Sequence, residues 1–92
     1  MSDAEVTYIT PSTITVRVGS RIVKVSGDAI IDRPKAPYFV YSGSIAAWQP
    51  PHEHDRLSEH DKAVVLQAIR DHMDAKGTYY IIDPTDEQYR TL

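Results

Sequence analysis

Thr13-Ile14-Thr15-Val16-Arg17-Val18-Gly19-Ser20-Arg21-Ile22-Val23-Lys24-Val25-Ser26 is the stretch from which the fold can be read. Ile14, Val16 and Val18 alternate with Thr13, Thr15 and Arg17, the period of a strand with one buried face. Gly19-Ser20 then interrupts, and a glycine at the first central position suits a two-residue type II′ turn. Closing the hairpin there sets Val18 opposite Arg21, Val16 opposite Val23 and Ile14 opposite Val25. The last two are apolar pairs on one face. On the other face Arg17 meets Ile22, Thr15 meets Lys24 and Thr13 meets Ser26, so Ile22 alone breaks the segregation.

Outward from the hairpin, Val6-Thr7-Tyr8-Ile9 is a short β-prone run that stops at Thr10-Pro11-Ser12. Downstream, Ala29-Ile30-Ile31 suits a short strand or a turn of helix. Arg33-Pro34-Lys35-Ala36-Pro37 reads as a loop, because each proline lacks a donor and restricts its predecessor. Tyr38-Phe39-Val40-Tyr41 is strongly β-prone and expected inside the sheet. Ser44 to Trp48 is expected as a further strand, with a short helical turn as the alternative. Ser58 opens a helix: Asp61 stands three residues on, close to a capping-box pattern, and Glu59 and Asp61 favour the positive end of the helix dipole. Val65, Leu66, Ile69 and Met73 form an apolar stripe, and Gly77 falls where a left-handed cap belongs. At 1.5 Å per residue, Glu59 to Lys76 spans about 27 Å. Thr78 to Asp83 reads as the closing strand, ended by Asp83-Pro84. The expected architecture is α+β: a small antiparallel sheet of about five strands, with room for a mixed edge, and one long α-helix packed on one face. Residues 1–83 form the single domain, and 84–92 a mobile C-terminal tail.

Ninety-two residues support one domain with a small core. The absence of cysteine excludes disulfides, thiolate metal sites and a cysteine nucleophile, and favours a reducing compartment. Met1 to Glu5 has no apolar signal-peptide region, and no apolar run approaches the ~20 residues that span a bilayer. The chain is therefore expected in the cytoplasm, away from membranes. Net charge is −3, unevenly placed: residues 1–50 hold five Lys/Arg and four Asp/Glu, residues 51–92 five and nine. That balance argues against nucleic acid as a partner.

The most distinctive segment is Trp48-Gln49-Pro50-Pro51-His52-Glu53-His54-Asp55, which joins the strand half to the helix. His52 and His54, with His60 or Asp55, have the donor chemistry of a zinc or nickel site. No thiolate or distant third ligand supports it, and a polar loop leading into a helix cap is the simpler reading. His54 with Asp55 offers an acid–base pair, yet no nucleophile elbow, phosphate loop or HExxH helix accompanies it. Neither a catalytic residue nor a metal or cofactor is expected. His72, beside the helix stripe, is expected half-buried and satisfied by a hydrogen bond. Trp48 fits the core at the helix–sheet junction, or an interface anchor. Tyr79, Tyr80 and Tyr89 suit an aromatic cluster, with Tyr79 or Tyr80 turned inward. Arg17, Arg21 and Lys24 make the polar hairpin face mildly basic, a solubilising pattern without the aromatics of an RNA-binding sheet.

Taken in order, Ile14-Thr15-Val16, Val18-Gly19, a second strand, Tyr38-Phe39-Val40-Tyr41, Ser44-Ile45-x-x-Trp48-x-Pro50-Pro51-His52 and the Ser58-capped helix resemble the immunity protein 74 family of bacterial polymorphic-toxin systems. The resemblance spans roughly residues 7–82, and the Trp and double-Pro spacing is its most specific piece. It implies a non-enzymatic inhibitor that binds a cognate toxin domain in the producing cell. The chain itself is expected as a monomer or homodimer, since an edge strand such as Thr78–Asp83 could pair across a dimer axis. Loop chemistry, independently of the family, nominates Trp48, His52, Glu53, His54 and Asp55 as contacts, with Glu59 on the first helical turn. A general interaction module or small regulatory subunit is the alternative reading.

Overall fold

The computed structural model describes residues 4–30 and 36–90. Strands β1 (Ala4–Ile9), β2 (Thr13–Val18), β3 (Arg21–Ala29) and β4 (Tyr38–Val40) precede helix α1 (Glu59–Lys76), strand β5 (Tyr80–Ile82) and the short helix α2 (Asp86–Arg90). The strands form one sheet in the order β1-β2-β3-β4-β5. Its first three pairings are antiparallel and β4/β5 is parallel. The fold is thus α+β, with a mixed, mostly antiparallel sheet.

The β2–β3 hairpin has the expected register at all six pairs, from Val18↔Arg21 to Thr13↔Ser26. Gly19 takes φ 61 while Ser20 does not turn left-handed, the signature of a II′ loop. Ile14, Val16, Val23 and Val25 are fully buried beneath α1. β1 departs from simple alternation. Its partner shifts from Val6↔Val16 to Tyr8↔Thr15, so Thr7 is an inserted residue. That bulge lets Val6 and Ile9, three apart, both pack on the core while Tyr8 faces solvent.

β3 serves two neighbours. Arg21–Ser26 pairs with β2, and Gly27–Ala29 with β4. Ala29 is therefore strand; Ile31 and Arg33–Lys35 lie outside the described residues. Because β4 is only three residues long, it leaves the outer edge of β3 open. The chain after it fills that edge: Tyr41 N–H donates to Ser26 O (3.0 Å), Ser26 N–H to Ser44 Oγ (2.8 Å) and Gln49 N–H to Ile22 O (2.7 Å). This corrects the strand expected at Ser44–Trp48. Ser42–Ser44 is a 3₁₀ turn and Ile45 to Gln49 has no regular structure. Ile45 and Trp48 are buried while Ala46 and Ala47 are exposed, a spacing of three that no strand allows.

α1 begins in a reciprocal capping box. Asp61 N–H donates to Ser58 Oγ (3.1 Å), and Ser58 N–H to the Asp61 carboxylate (2.9 Å). It ends where Thr78 N–H reaches Met73 O and Gly77 N–H reaches Asp74 O, a Schellman closure. Val65, Ala68, Ile69 and Met73 are its buried face. The helix carries the chain back so that β5 enters beside β4 in the same direction, as a strand–helix–strand crossover requires. Tyr38 and Val40 join the core under α1; Phe39, equally buried, alternates to the opposite face beside Ile81. Tyr38 packs across Gly27, where an added Cβ would lie 2.3 Å from its ring. β5 is shorter than the expected Thr78–Asp83: Tyr79 precedes it, and Asp83 turns left-handed at φ 54. Beyond Pro84, Asp86–Arg90 is helical. Among the described residues no helix is long and apolar enough to cross a membrane.

Candidate functional site

The segment between Trp48 and Ser58 wraps one end of the sheet, beside the Gly19-Ser20 turn and the start of α1. Trp48 is its foundation. The indole is 2% exposed, packed in the core, with Nε1–H directed at Arg56 O (3.4 Å). The Pro50–Pro51 peptide is cis, and His52 N–H closes the turn on Gln49 O (3.0 Å). A second turn follows, with Asp55 N–H on His52 O (2.9 Å).

Asp55 then fastens this loop to the hairpin. One oxygen, Oδ2, accepts from Arg21 Nε (3.1 Å) and lies 3.0 Å from an Arg21 terminal nitrogen and 3.2 Å from His52 Nδ1. The Arg21 guanidinium also stands over the Trp48 ring, 5.9 Å from its centroid. Hydrogen bonds from Arg21 and then from His52 hold the Asp55 carboxyl below the ordinary carboxylate range. With Gln49 N–H on Ile22 O, β3 and the loop become one surface, joined by contacts across 27 and 34 residues of chain. Sequence reasoning singled out Arg21 only as a member of a basic face; its partner is too distant in the chain for local patterning to find.

The nominated residues therefore divide. Trp48 is enclosed and supports the loop from below, and His52 and Asp55 are committed to internal bonds. His54, 94% exposed, projects into solvent with the Glu53 carboxylate 4.0 Å from its ring. Glu59 is exposed on the first turn of α1, next to the capping box. The Asp61 carboxyl is held low by the Ser58 backbone N–H and serves the cap. Among the described residues no three His, Cys, Asp or Glu side chains gather as a metal site, and His52 and His54 have different acidic neighbours, Asp55 and Glu53. What the end of the molecule offers is a clasped, acidic surface with Glu53, His54 and Glu59 exposed on it; Ile22, 40% exposed, lies with Arg17 on the opposite face of the sheet.

Two other features lie away from it. Asp83, at the carboxyl ends of β4 and β5, accepts from Ser42 N–H (2.8 Å) and from Ser42 Oγ–H, which hold its carboxyl low. His72, expected to be satisfied by a hydrogen bond, has no such partner among the described residues; its half-buried ring edges a cleft between α1 and β1. Tyr80 packs on the core and Tyr79 is exposed, as strand alternation requires.

A mixed, mostly antiparallel five-stranded sheet, one long covering helix and a loop clasped to the hairpin define a small α+β domain. The family model of immunity protein 74 matches residues 5–83, and the chain belongs to that family. Searches of curated proteins and of solved structures give no significant match.

Proposed function

We propose that this chain is a cytoplasmic, non-enzymatic inhibitor that binds a cognate bacterial toxin domain and blocks it. Family membership supports an immunity role. The structural observation that carries the reading is the clasped loop. Arg21, Asp55, His52 and Trp48 hold residues 49–57 against the hairpin, so the surface is ordered before any partner arrives. Preorganisation lowers the entropic cost of association and favours tight binding.

The charges at this end divide the labour. The Asp55 charge is balanced by Arg21, whereas Glu53 and Glu59 are exposed and have no lysine or arginine partner among the described residues. A toxin domain presenting lysine or arginine is the complementary partner, and its rim charges would act mainly on association rate. Trp48 supports the contact surface without forming it.

The test is rescue. The toxin gene expected immediately upstream is expressed in a sensitive host, with or without this chain. Survival only with the chain, and a stoichiometric complex on purification, supports the proposal. The double variant Glu53→Lys, Glu59→Lys should fold normally and associate about tenfold or more slowly at low salt, with the difference shrinking as salt rises. A general interaction module that ignores the neighbouring toxin would leave the host dead and elute alone.

A further inference from the structure

The segment that leads into the loop meets β3 out of step with the strand before it. β4 pairs with β3 as Ala29↔Tyr38, Asp28↔Phe39 and Gly27↔Val40, and Tyr41 N–H on Ser26 O continues that offset. Among the described residues, the next backbone bond to β3 is Gln49 N–H on Ile22 O. The segment thus advances eight residues, from Tyr41 to Gln49, while β3 advances four, from Ser26 to Ile22. Four residues are looped out, and the 3₁₀ turn Ser42–Ser44 lies within the looped stretch.

Alternation does not choose this offset. A slip by an even number of residues returns every side chain to the same face of a sheet, so apolar patterning excludes odd slips and leaves even ones open. Other contacts must hold the extra residues in the turn. Ser44 supplies part of them: its Oγ accepts from Ser26 N–H (2.8 Å), and its hydroxyl donates to Tyr41 O (2.6 Å). The remainder come from the end of β5. Asp83 N–H donates to Val40 O (2.7 Å), and the Asp83 carboxylate accepts from Ser42 N–H (2.8 Å) and from Ser42 Oγ–H. One residue thereby grips the last residue of β4 and the first of the turn.

The backbone of Asp83 is bent where it makes this grip. Its φ of 54° is the only positive value at a non-glycine among the described residues, in a region that L side chains enter at a cost. Such a conformation persists where surrounding contacts fix it. The neighbouring elements do not need the carboxylate. The β4/β5 ladder is complete at Val40↔Ile82, and Thr85 and Gln88 cap α2 between themselves.

From this geometry we infer that Asp83 is a positioning residue for the loop that presents Glu53 and His54. By pinning Ser42 it keeps the four extra residues in the turn, so that Ile45 and Trp48 enter the core and Gln49 reaches Ile22. The Arg21–Asp55 clasp then closes on a loop already placed. The inference takes the purpose of the loop from the toxin reading, whereas the placement is a property of the free chain.

Amide hydrogen exchange of the free chain, followed by NMR, tests it on the wild type, Asp83→Gly, Asp83→Asn and Ser42→Ala. Glycine relieves the positive φ but removes the carboxylate, which separates anchor from strain. Asparagine tolerates the left-handed region and keeps an acceptor oxygen. The amides of Ile45, Gln49 and His52 are all hydrogen-bonded within the segment or to β3. In Asp83→Gly they should exchange about tenfold faster or more, over and above any change at Val65 and Ile69 in α1. Asp83→Asn should recover most of the protection. Ser42→Ala keeps the backbone donor and should fall between. Where the toxin complex forms, Asp83→Gly should raise its Kd about tenfold through lost preorganisation. Unchanged protection at Gln49 and His52 in Asp83→Gly, or a loss no greater than at Val65 and Ile69, would overturn the inference. So would Asp83→Asn exchanging as fast as Asp83→Gly, or an unaltered Kd. Failure of the wild-type chain to bind the toxin would count against the toxin reading alone, because the exchange is read without it.

Discussion

Trp48→Ala is the substitution that most severely probes the physical link between core and surface. The indole is 2% exposed and belongs to the same cluster as Val23, Val25 and Val65. Removing it leaves a large cavity and strips the loop of its floor, a change that costs about 3–5 kcal/mol in buried sites. A domain of this length has roughly 5–14 kcal/mol in total at 0.05–0.15 kcal/mol per residue. The variant should therefore lose about a fifth of its stability or more. With an m-value near ~1.5 kcal/mol/M, the urea midpoint should fall by about 2–3 M. Far-UV circular dichroism must follow the transition, because Trp48 is the only tryptophan and its removal deletes the fluorophore. Trp48→Phe keeps an aromatic ring but loses the long bond to Arg56 O, and should cost about 1–2 kcal/mol. A cost under ~1 kcal/mol for Trp48→Ala would mean that the ring is not the floor of the loop, and the argument from packing to binding surface would fail.

Gly27→Ala should destabilise by about 1–3 kcal/mol in a urea titration, because the new Cβ would meet the Tyr38 ring at 2.3 Å and Phe39 O at 2.9 Å; a neutral result would show that Tyr38 repacks freely. Ser58→Ala should cost about 1 kcal/mol by thermal melting through loss of the reciprocal cap; no change would argue against that cap. Asp55, Asp61 and Asp83 all have carboxyls lowered by hydrogen bonds in the folded chain, so the unfolded chain binds more protons as acid is added. Their stabilisation is complete above the ordinary carboxylate range near ~4 and is lost as pH falls through the folded values. The melting temperature should be level from about pH 7 to 5, then drop, and Asp61→Asn with Asp83→Asn should flatten that drop; an unchanged acid limb would refute the assignment. Arg21→Ala should speed amide exchange in residues 49–57 while leaving α1 protected, and equal exchange in both proteins would show that Asp55 does not hold the loop.

Period-two patterning carried the hairpin because both strands bury one face and the II′ turn fixes their offset, so residue type and register agree at Ile14, Val16, Val23 and Val25. The helix was equally legible from Ser58, Asp61 and Gly77, whose side chains and backbone satisfy its ends locally. Ser44–Trp48 has the apolar content of a strand but not its spacing, and Ile45 and Trp48, three apart, are the sign of a turn. The bulge at Thr7 had a similar sign in Val6 and Ile9, which share a face only if one residue is inserted. The clasp at Asp55 had none, since an ion pair between residues 34 apart depends on how the whole sheet is assembled.

The toxin-neutralising reading is tested most directly by calorimetric titration of the purified toxin domain with this chain. The account predicts an equimolar complex with Kd in the nanomolar range or tighter, about −12 kcal/mol. It also predicts a weaker complex for Glu53→Lys with Glu59→Lys. No heat, or a Kd weaker than about a micromolar, would contradict it.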